Sequence, residues 1–188
     1  SPKFLHVYNN KLFFTAWMEG HSMQLWVYDE NADSCSVLKY DSIVGGDIGI
    51  THYSELNNIL YYHIDTRNIY GTDGTPNGTF QLTQGNGIFS GIEKYNNELY
   101  FSQYDTSGYE LRKSNGSPLN VSLVKDIDPT NKHNIFICGV VNNKFLFYAN
   151  DSIHGYELWA TNGTGLGTYL IKDCNPKGDI QNLTYSNF

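Results

Sequence analysis

The sequence predicts an all-β fold, a β-propeller built from four four-stranded, blade-like repeats and one extra C-terminal strand. Asparagine pairs followed by apolar, aromatic runs recur about every 40–50 residues, a period typical of solenoids, propellers and arrays. Turn residues separate short β-rich segments throughout, and no stretch has the period of an amphipathic helix. A β-sandwich or a solenoid is the alternative, but a sandwich does not require the same four-strand pattern four times.

The first hairpin of each repeat is marked by an asparagine pair between two β-rich segments. Asparagine accepts the positive φ that a type I′ turn requires at both central positions, so such a pair predicts a tight hairpin. The following runs are rich in Leu, Phe and Tyr, as strands with one buried face require. The four pairs are Asn9-Asn10, Asn57-Asn58, Asn96-Asn97 and Asn142-Asn143.

A second hairpin follows in each repeat and is marked by an Asx-Gly turn. Asp73-Gly74, Asn115-Gly116 and Asn162-Gly163 resemble the preferred two-residue hairpin turns, because both residue types tolerate left-handed backbone angles. Repeat 1 has no glycine here. Its loop, residues 29–34, is therefore predicted to be longer than the others.

The chain is predicted to be a single propeller-like domain over residues 1–188. The last stretch aligns with the first strand of every other repeat, which leaves one strand over. Three interpretations remain open: the sequence ends inside a longer array, the strand closes a ring, or it is donated to another copy to build an open filament. The repeats span about 4–49, 50–88, 89–134 and 135–179, and the extra strand spans 180–188.

The most complete repeat, residues 155–173, reads Gly-Tyr-Glu-Leu-Trp-Ala-Thr-Asn-Gly-Thr and onward to Lys-Asp. It resembles the ELWxxDGT repeat family, which comprises secreted or surface proteins whose units resemble propeller blades. Repeat 3 matches at residues 108–111 and 123–129, repeat 2 keeps residues 71–75 and 78–79 but has lost Glu-Leu-Trp, and repeat 1 keeps Leu25-Trp26. The resemblance implies a structural motif and no catalytic residues.

Six Asn-x-Ser/Thr sequons are present, and several fall at predicted loop tips, where an oligosaccharide is accommodated without breaking a strand ladder. They predict N-glycosylation and hence a secreted or cell-surface protein, the alternative being that Asn-Gly-Thr is only a good turn. Pro118, which follows the sequon of Asn115, counts against glycosylation there. Glycosylation of Asn182 would be hindered if the strand that contains it is inserted into a sheet. The candidates are Asn77, Asn115, Asn120, Asn150, Asn162 and Asn182.

The composition argues against anionic partners. The net charge is −7 with only 12 Lys plus Arg, and these are scattered, so nucleic acid and anionic membrane are poor partners. No apolar run reaches the length of a membrane span. Aromatic residues make up 15% of the chain, which fits strand packing, with a sugar-stacking platform as the alternative.

The three cysteines, Cys35, Cys138 and Cys174, have spacings that fit neither a metal finger nor a redox pair. Cys138 lies in the first strand of repeat 4 and Cys174 follows its last strand. A Cys138–Cys174 disulfide is the preferred prediction for a secreted chain, and reduced, buried cysteines are the alternative.

No catalytic residue, metal site or cofactor is predicted. The six histidines share no local spacing, and the carboxylates Asp126, Asp128, Asp173 and Asp179 are expected to be solvated turns rather than a Ca²⁺ site. The glycine run 163–168 precedes a strand, whereas a phosphate loop requires a following helix.

The function predicted from these observations is an extracellular, N-glycosylated structural or adhesive module without enzymatic activity. It is expected to self-associate as a protomer of a fibre or surface assembly, with the C-terminal strand donated between subunits. A lectin-like propeller that binds carbohydrate is the alternative, and a hydrolase with an axial site comes third.

Overall fold

A computed structural model describes residues 3–20, 23–39, 50, 52–63, 68–84, 87, 90–106, 108–129, 133–174 and 176. These residues form sixteen β-strands and no helix. The strands make four antiparallel sheets of four strands, each built from four consecutive strands in sequence order. The all-β class and the four four-stranded repeats are thus confirmed. The predicted extra strand, 180–188, lies outside the described residues.

The four sheets are numbered in chain order. Sheet 1 contains β1 (Lys3–Tyr8), β2 (Lys11–Trp17), β3 (Met23–Asp29) and β4 (Ser34–Lys39). Sheet 2 contains β5 (Tyr53–Leu56), β6 (Ile59–His63), β7 (Ile69–Thr72) and β8 (Thr79–Gln81). Sheet 3 contains β9 (Ile92–Tyr95), β10 (Glu98–Asp105), β11 (Gly108–Ser114) and β12 (Ser122–Lys125). Sheet 4 contains β13 (Phe136–Val141), β14 (Lys144–Asn150), β15 (Tyr156–Thr161) and β16 (Tyr169–Lys172).

The asparagine pairs form the tight turns that the sequence predicts. All eight asparagines have φ between 48° and 63°, as a type I′ turn requires. The residues that flank the first pair, Tyr8 and Lys11, lie directly opposite each other in the β1–β2 ladder. The hairpin prediction is therefore confirmed in every repeat.

The Asx-Gly connections differ from the prediction. They are not two-residue turns, because residues 73–78, 115–121 and 162–168 separate the third and fourth strands of sheets 2, 3 and 4. Repeat 1 has the shortest connection, residues 30–33, rather than the longest. The glycines Gly74, Gly116 and Gly163 do adopt positive φ, but each is the second residue of a wider loop held by side-chain hydrogen bonds.

The sheets pack on one another through three hydrophobic cores, each shared by two consecutive sheets. Side chains alternate between the two faces of a strand, so a middle sheet contributes to a different core with each face. Phe13 and Leu60 belong to the core between sheets 1 and 2. Leu56 and Leu99 belong to the core between sheets 2 and 3, and Tyr100 and Phe145 to the core between sheets 3 and 4.

The sheets converge at their first strands, since β5 contacts β9 and β9 contacts β13. The side chains of His6 and Glu55 also join β1 to β5 across 2.8 Å. The fourth strand of each sheet is the one farthest along the hydrogen-bonded ladder from these contacts. The first-strand edges of consecutive sheets therefore lie beside one another, and the fourth-strand edges lie on the opposite side of the sheets.

Candidate functional sites in the loops and on the outer sheet faces

The Asx-Gly loops of repeats 2 and 4 contain the same hydrogen-bond network. Oδ1 of Asp73 accepts bonds from the backbone N–H of Thr75 at 2.8 Å and from its hydroxyl at 2.7 Å. Oδ1 of Asn162 accepts the equivalent bonds from Thr164 at 3.0 and 2.8 Å. An Asx side chain that binds the backbone two residues on mimics a turn. Asp and Asn are thus interchangeable at this position.

The second half of each loop depends on the same threonine. The hydroxyl of Thr164 accepts a bond from the Gly167 N–H at 3.0 Å, and Thr75 accepts the matching bond from Gly78 at 2.9 Å. A Cβ on Gly167 would collide with the Asn162 side chain, so only glycine fits there. The spacing Asx-Gly-Thr-x-x-Gly is therefore a folding signature that also happens to contain a sequon.

Repeat 3 keeps only the first half of this network. Asn115 Oδ1 accepts a bond from the Ser117 N–H at 2.9 Å, but the second glycine is absent. Instead, Leu119 adopts a φ of 57° and its N–H donates to the Leu82 carbonyl of repeat 2 at 3.0 Å. The third loop is thereby tied to the preceding repeat.

The structure places five of the six sequon asparagines, and four of these are exposed in loops: Asn77, Asn115, Asn120 and Asn162. Asn150 is half-buried at the end of β14, where its Oδ1 accepts a bond from the Ser152 N–H at 2.7 Å. Asn182 lies outside the described residues. The exposed loop positions are sterically compatible with the predicted glycans, and occupancy stays a prediction.

Each loop glycine faces an aromatic side chain on the second strand of the preceding sheet. Gly116 lies against Tyr61, whose hydroxyl donates to the Gly116 carbonyl at 2.9 Å, and burial raises the pKa of Tyr61 to about 12. Gly163 lies so close to the Tyr100 hydroxyl that a Cβ would collide with it. Gly74 packs in the same way on Lys11 and Phe13. Every junction between consecutive sheets therefore repeats one contact.

The sheet-1 outer face is the face of sheet 1 that points away from sheet 2. Its side chains form two rows across all four strands, and none is charged. Leu5 and Val7 are each 69% exposed, and the Phe14 and Trp26 rings stack at 6.4 Å. The rows are Leu5, Phe14, Trp26 and Val37, and Val7, Leu12, Tyr28 and Cys35.

The sheet-4 outer face is the opposite end of the described stack. Cross-strand neighbours place Leu146, Ala160 and Tyr169 on it; Tyr169 is 44% exposed, Leu146 is half-buried and Ala160 is fully buried. The Lys144 ammonium group donates to the Tyr169 hydroxyl at 2.6 Å and lies 5.4 Å from its ring centroid. Neither outer face was predicted from the sequence, although the alternation of apolar residues in β1, β2 and β3 indicates the first.

The glutamate of the repeat motif is buried. Glu157 is fully buried and accepts the Cys174 N–H at 3.2 Å, which ties the start of β15 to the segment after β16. Glu110 occupies the same position in repeat 3, beside Asp126. Burial, with a smaller contribution from the Asp126 charge, raises the pKa of Glu110 to about 8. Both carboxyl groups are buried within their sheets.

A polar cluster of Ser, His and Asp lies beside sheet 4 but lacks the geometry of a catalytic relay. The Ser152 hydroxyl donates to Asp128 Oδ2 at 2.7 Å, and His133 Nδ1 contacts the same oxygen at 2.7 Å. A relay requires the serine to contact the histidine, with the carboxylate on the other ring nitrogen. Here both groups converge on one buried carboxylate, which fits a structural tie between two loops.

The remaining described histidines also have local partners. His6 contacts Glu55 at 2.8 Å, and its ring lies 4.3 Å from the ring of Tyr53. His52 Nδ1 lies 2.9 Å from His63 Nε2, and burial lowers the pKa of His52. Within the described ranges, no three His, Cys, Asp or Glu side chains are placed to hold a metal ion. No helix in this part of the chain could span a membrane.

The predicted disulfide between Cys138 and Cys174 is not formed. Both residues, like Cys35, are free, exposed thiols. Cys138 lies in β13 and Cys174 follows β16, so they belong to opposite edges of one sheet. Three strand spacings of about 4.8 Å separate those edges. A disulfide requires Cα atoms within about 7 Å, which explains why the pairing fails.

No protein-family model and no curated protein sequence matches the chain. Among solved structures, a puromycin hydrolase mutant complexed with PGG aligns with a TM-score of 0.56 at 11% identity, over 92% of this chain and 29% of that chain. The computationally designed Ika8 protein gives 0.49 at 14% identity, over 91% and 48%. The tricorn protease gives 0.45 at 9% identity, over 91% and 21%.

These similarities concern the fold alone, because the three identities are low, and of these three structures the hydrolase mutant has the TM-score above 0.5. The chain spans less than a third of that hydrolase and about half of the designed protein. The likeness supports a repeated, sheet-built architecture of the kind found in part of a larger hydrolase.

Proposed function

We propose that this chain is a β-propeller-like structural module of an extracellular assembly, N-glycosylated on its loops and without catalytic activity of its own. The observation that carries the proposal is the recurrence of one contact set at all three sheet junctions. Polar groups that could form a site are instead used to join neighbouring strands, loops and sheets. Such a chain is organised as a scaffold.

The propeller geometry is supported by two features. Successive four-stranded sheets stack face to face, and their first strands contact one another along the stack. The fold similarity to the puromycin hydrolase mutant, with a TM-score of 0.56, supports the same repeated architecture. The resemblance of the repeat to the ELWxxDGT family adds a secreted or surface context to this proposal.

Glycosylation tests the extracellular part of the proposal. After secretion from eukaryotic cells, we expect glycans at Asn77 and Asn162, detected by mass spectrometry of peptides before and after enzymatic deglycosylation. Asn162→Asp should remove one glycan without disturbing the loop, because Asp73 makes the same hydrogen bonds in repeat 2.

The matched control is Thr164→Ser, which keeps both the sequon and the hydroxyl that bonds Asn162. It should retain the glycan and the stability of the parent chain. A secreted chain with every sequon unmodified would contradict the extracellular assignment. Efficient retention inside the cell would contradict it as well.

A further inference from the structure

We propose that copies of this chain associate head to tail, with the sheet-4 outer face of one copy packed on the sheet-1 outer face of the next. The partner is a second copy, and the contact continues the sheet-on-sheet packing that already joins sheets 1 to 4. This inference rests on the assembly role proposed above. It names a different surface from the C-terminal strand.

The sheet-1 outer face is equivalent to faces that are covered in the other three sheets. Phe14 corresponds to Tyr62, Phe101 and Phe147, each of which packs on the preceding sheet and is fully or nearly fully buried. The stacked pair Phe14–Trp26 likewise recurs as Tyr62–Tyr70 and Phe147–Trp159. In sheet 1 the Phe14–Trp26 pair is only half-buried, and Leu5 and Val7 of β1 are exposed. The sheet-1 outer face therefore has the composition of a core face but not the burial of one.

The sheet-4 outer face is the complementary half of the same junction. Leu146 corresponds to Phe13, Tyr61 and Tyr100, whose side chains all pack on the following sheet and are buried there. Leu146 itself is only half-buried, although Ala160 beside it is fully buried. The sheet-1 outer face and the exposed part of the sheet-4 outer face therefore correspond to the back and the front of one repeated interface.

Both halves of this junction depart from the internal pattern, and the departures match. At the three internal junctions a loop glycine lies against an aromatic side chain, and an added Cβ would collide with the hydroxyl of Tyr61 or Tyr100 at two of them and with Lys11, beside Phe13, at the third. Repeat 4 has the shorter Leu146 at the ring position, and repeat 1 has the four-residue turn 30–33 in place of the glycine loop. A shorter side chain leaves room for a turn without glycine, so the two exceptions suit each other.

The proposed contact is heterologous, because two different faces meet. Such an interface produces a ring if the rotation closes and a filament if it does not. A monomer with both faces uncovered would expose an apolar, uncharged sheet face, which is characteristic of protein interaction sites.

The test uses the 188-residue chain and two double variants that add the same charge sign. One is Leu5→Glu with Val7→Glu on sheet 1, and the other is Leu146→Glu with Tyr169→Glu on sheet 4. Sedimentation velocity over a concentration series should show association of the parent chain. Each double substitution should raise the dissociation constant for self-association by at least about tenfold, which corresponds to the loss of a few good contacts.

Mixing the two variants gives the decisive result. In a head-to-tail contact each variant keeps one intact face, so the mixture should form a one-to-one heterodimer at concentrations where neither variant associates alone. The matched control is Ile153→Glu with Leu166→Glu, because these side chains are 81% and 103% exposed in turns outside both faces. The control should associate like the parent chain, and circular dichroism should show the same fold for all variants.

The proposal is overturned if the parent chain is monomeric at every concentration, if the control variant loses association equally, or if the mixture forms no heterodimer. Deletion of residues 180–188 separates it from strand donation. Association that survives the deletion supports the face-to-face contact, and association lost with the deletion but unaffected by the face variants overturns it. A chain that associates head to tail but is never glycosylated would refute the proposed extracellular function and leave this contact intact.

Discussion

At the scale of single residues, the loop glycines are required for two separable reasons. Gly163 adopts a φ of +92°, which strains any residue with a Cβ, and it also lies against the Tyr100 hydroxyl of the neighbouring sheet. Gly20 adopts a similar φ of +77° but has no atom within 4 Å of an added Cβ. The pair therefore separates backbone strain from the contact at the sheet junction.

We expect Gly163→Ala to destabilise the protein more than Gly20→Ala. Backbone strain alone should cost about 1–2 kcal/mol at either site, and the collision with Tyr100 should add about 1–3 kcal/mol at Gly163. Tyr100→Phe removes the colliding oxygen, and repeat 1 already carries Phe13 at that position. The Gly163→Ala/Tyr100→Phe double variant should therefore recover part of the loss, which a double-mutant cycle from urea unfolding measures. Strict additivity of the two changes would show that the contact does not matter.

Glu110 is a second residue whose environment has a measurable consequence. Burial raises its pKa from 4.5 to about 8, so the folded state holds a proton that the unfolded chain releases. The contribution of this proton to the free energy of unfolding is fully present below pH 4.5 and is lost as the pH rises to about 8. The neutral carboxyl group can still accept a hydrogen bond through its carbonyl oxygen. Gln24 occupies the same position in repeat 1, so an amide fits the site.

Glu110→Gln should become progressively more stable than the parent chain between pH 4.5 and 8. The difference in unfolding free energy, measured by urea denaturation at several pH values, should be flat outside that window. Asp126→Asn, which removes a neighbouring negative charge, should lower the pKa of Glu110 and shift the upper limit of the window down. A constant difference between Glu110→Gln and the parent chain at every pH would contradict the raised pKa.

At the scale of elements, local rules predicted the first hairpins and failed for the second. The asparagine pairs specify type I′ turns through their own φ values, so nothing outside the pair is needed. The Asx-Gly loops depend on the threonine and the glycine two and five residues after the Asx, whose bonds hold a six- or seven-residue loop open. A two-residue turn was the wrong prediction because these bonds join residues that a dipeptide rule does not consider.

The β-bulges are a further feature of the elements that could not be predicted from the sequence. The ladders between the third and fourth strands of sheets 1, 3 and 4 all shift register at the same repeat position. The shifts fall at Leu25/Trp26, Leu111/Arg112 and Leu158/Trp159, which is the Leu-x step of the repeat motif. A bulge adds one residue to one strand and increases its twist. The motif therefore specifies twist at the outer strands as well as packing.

At the scale of the whole molecule, the sequence predicted the number of sheets but not which faces are covered. Phe14 and Phe147 have the same residue type and the same place in the repeat, yet only Phe147 is fully buried. Burial depends on the neighbouring sheet, which a single repeat does not encode. For the same reason, the positions of Cys138 and Cys174 within repeat 4 suggested a disulfide, although the sheet order separates them.

Because each core joins only two consecutive sheets, damage to one core should remain local. Phe145→Ala empties the core between sheets 3 and 4, and Phe13→Ala is the matched change in the core between sheets 1 and 2. Each should cost about 3–5 kcal/mol, and in a stacked repeat that cost falls on the nearest units first. Hydrogen exchange with mass spectrometry should show faster exchange in sheets 3 and 4 for Phe145→Ala and in sheets 1 and 2 for Phe13→Ala. Uniform acceleration in both variants would mean instead that the four sheets unfold as one cooperative unit, with the convergent first strands coupling the ends of the stack.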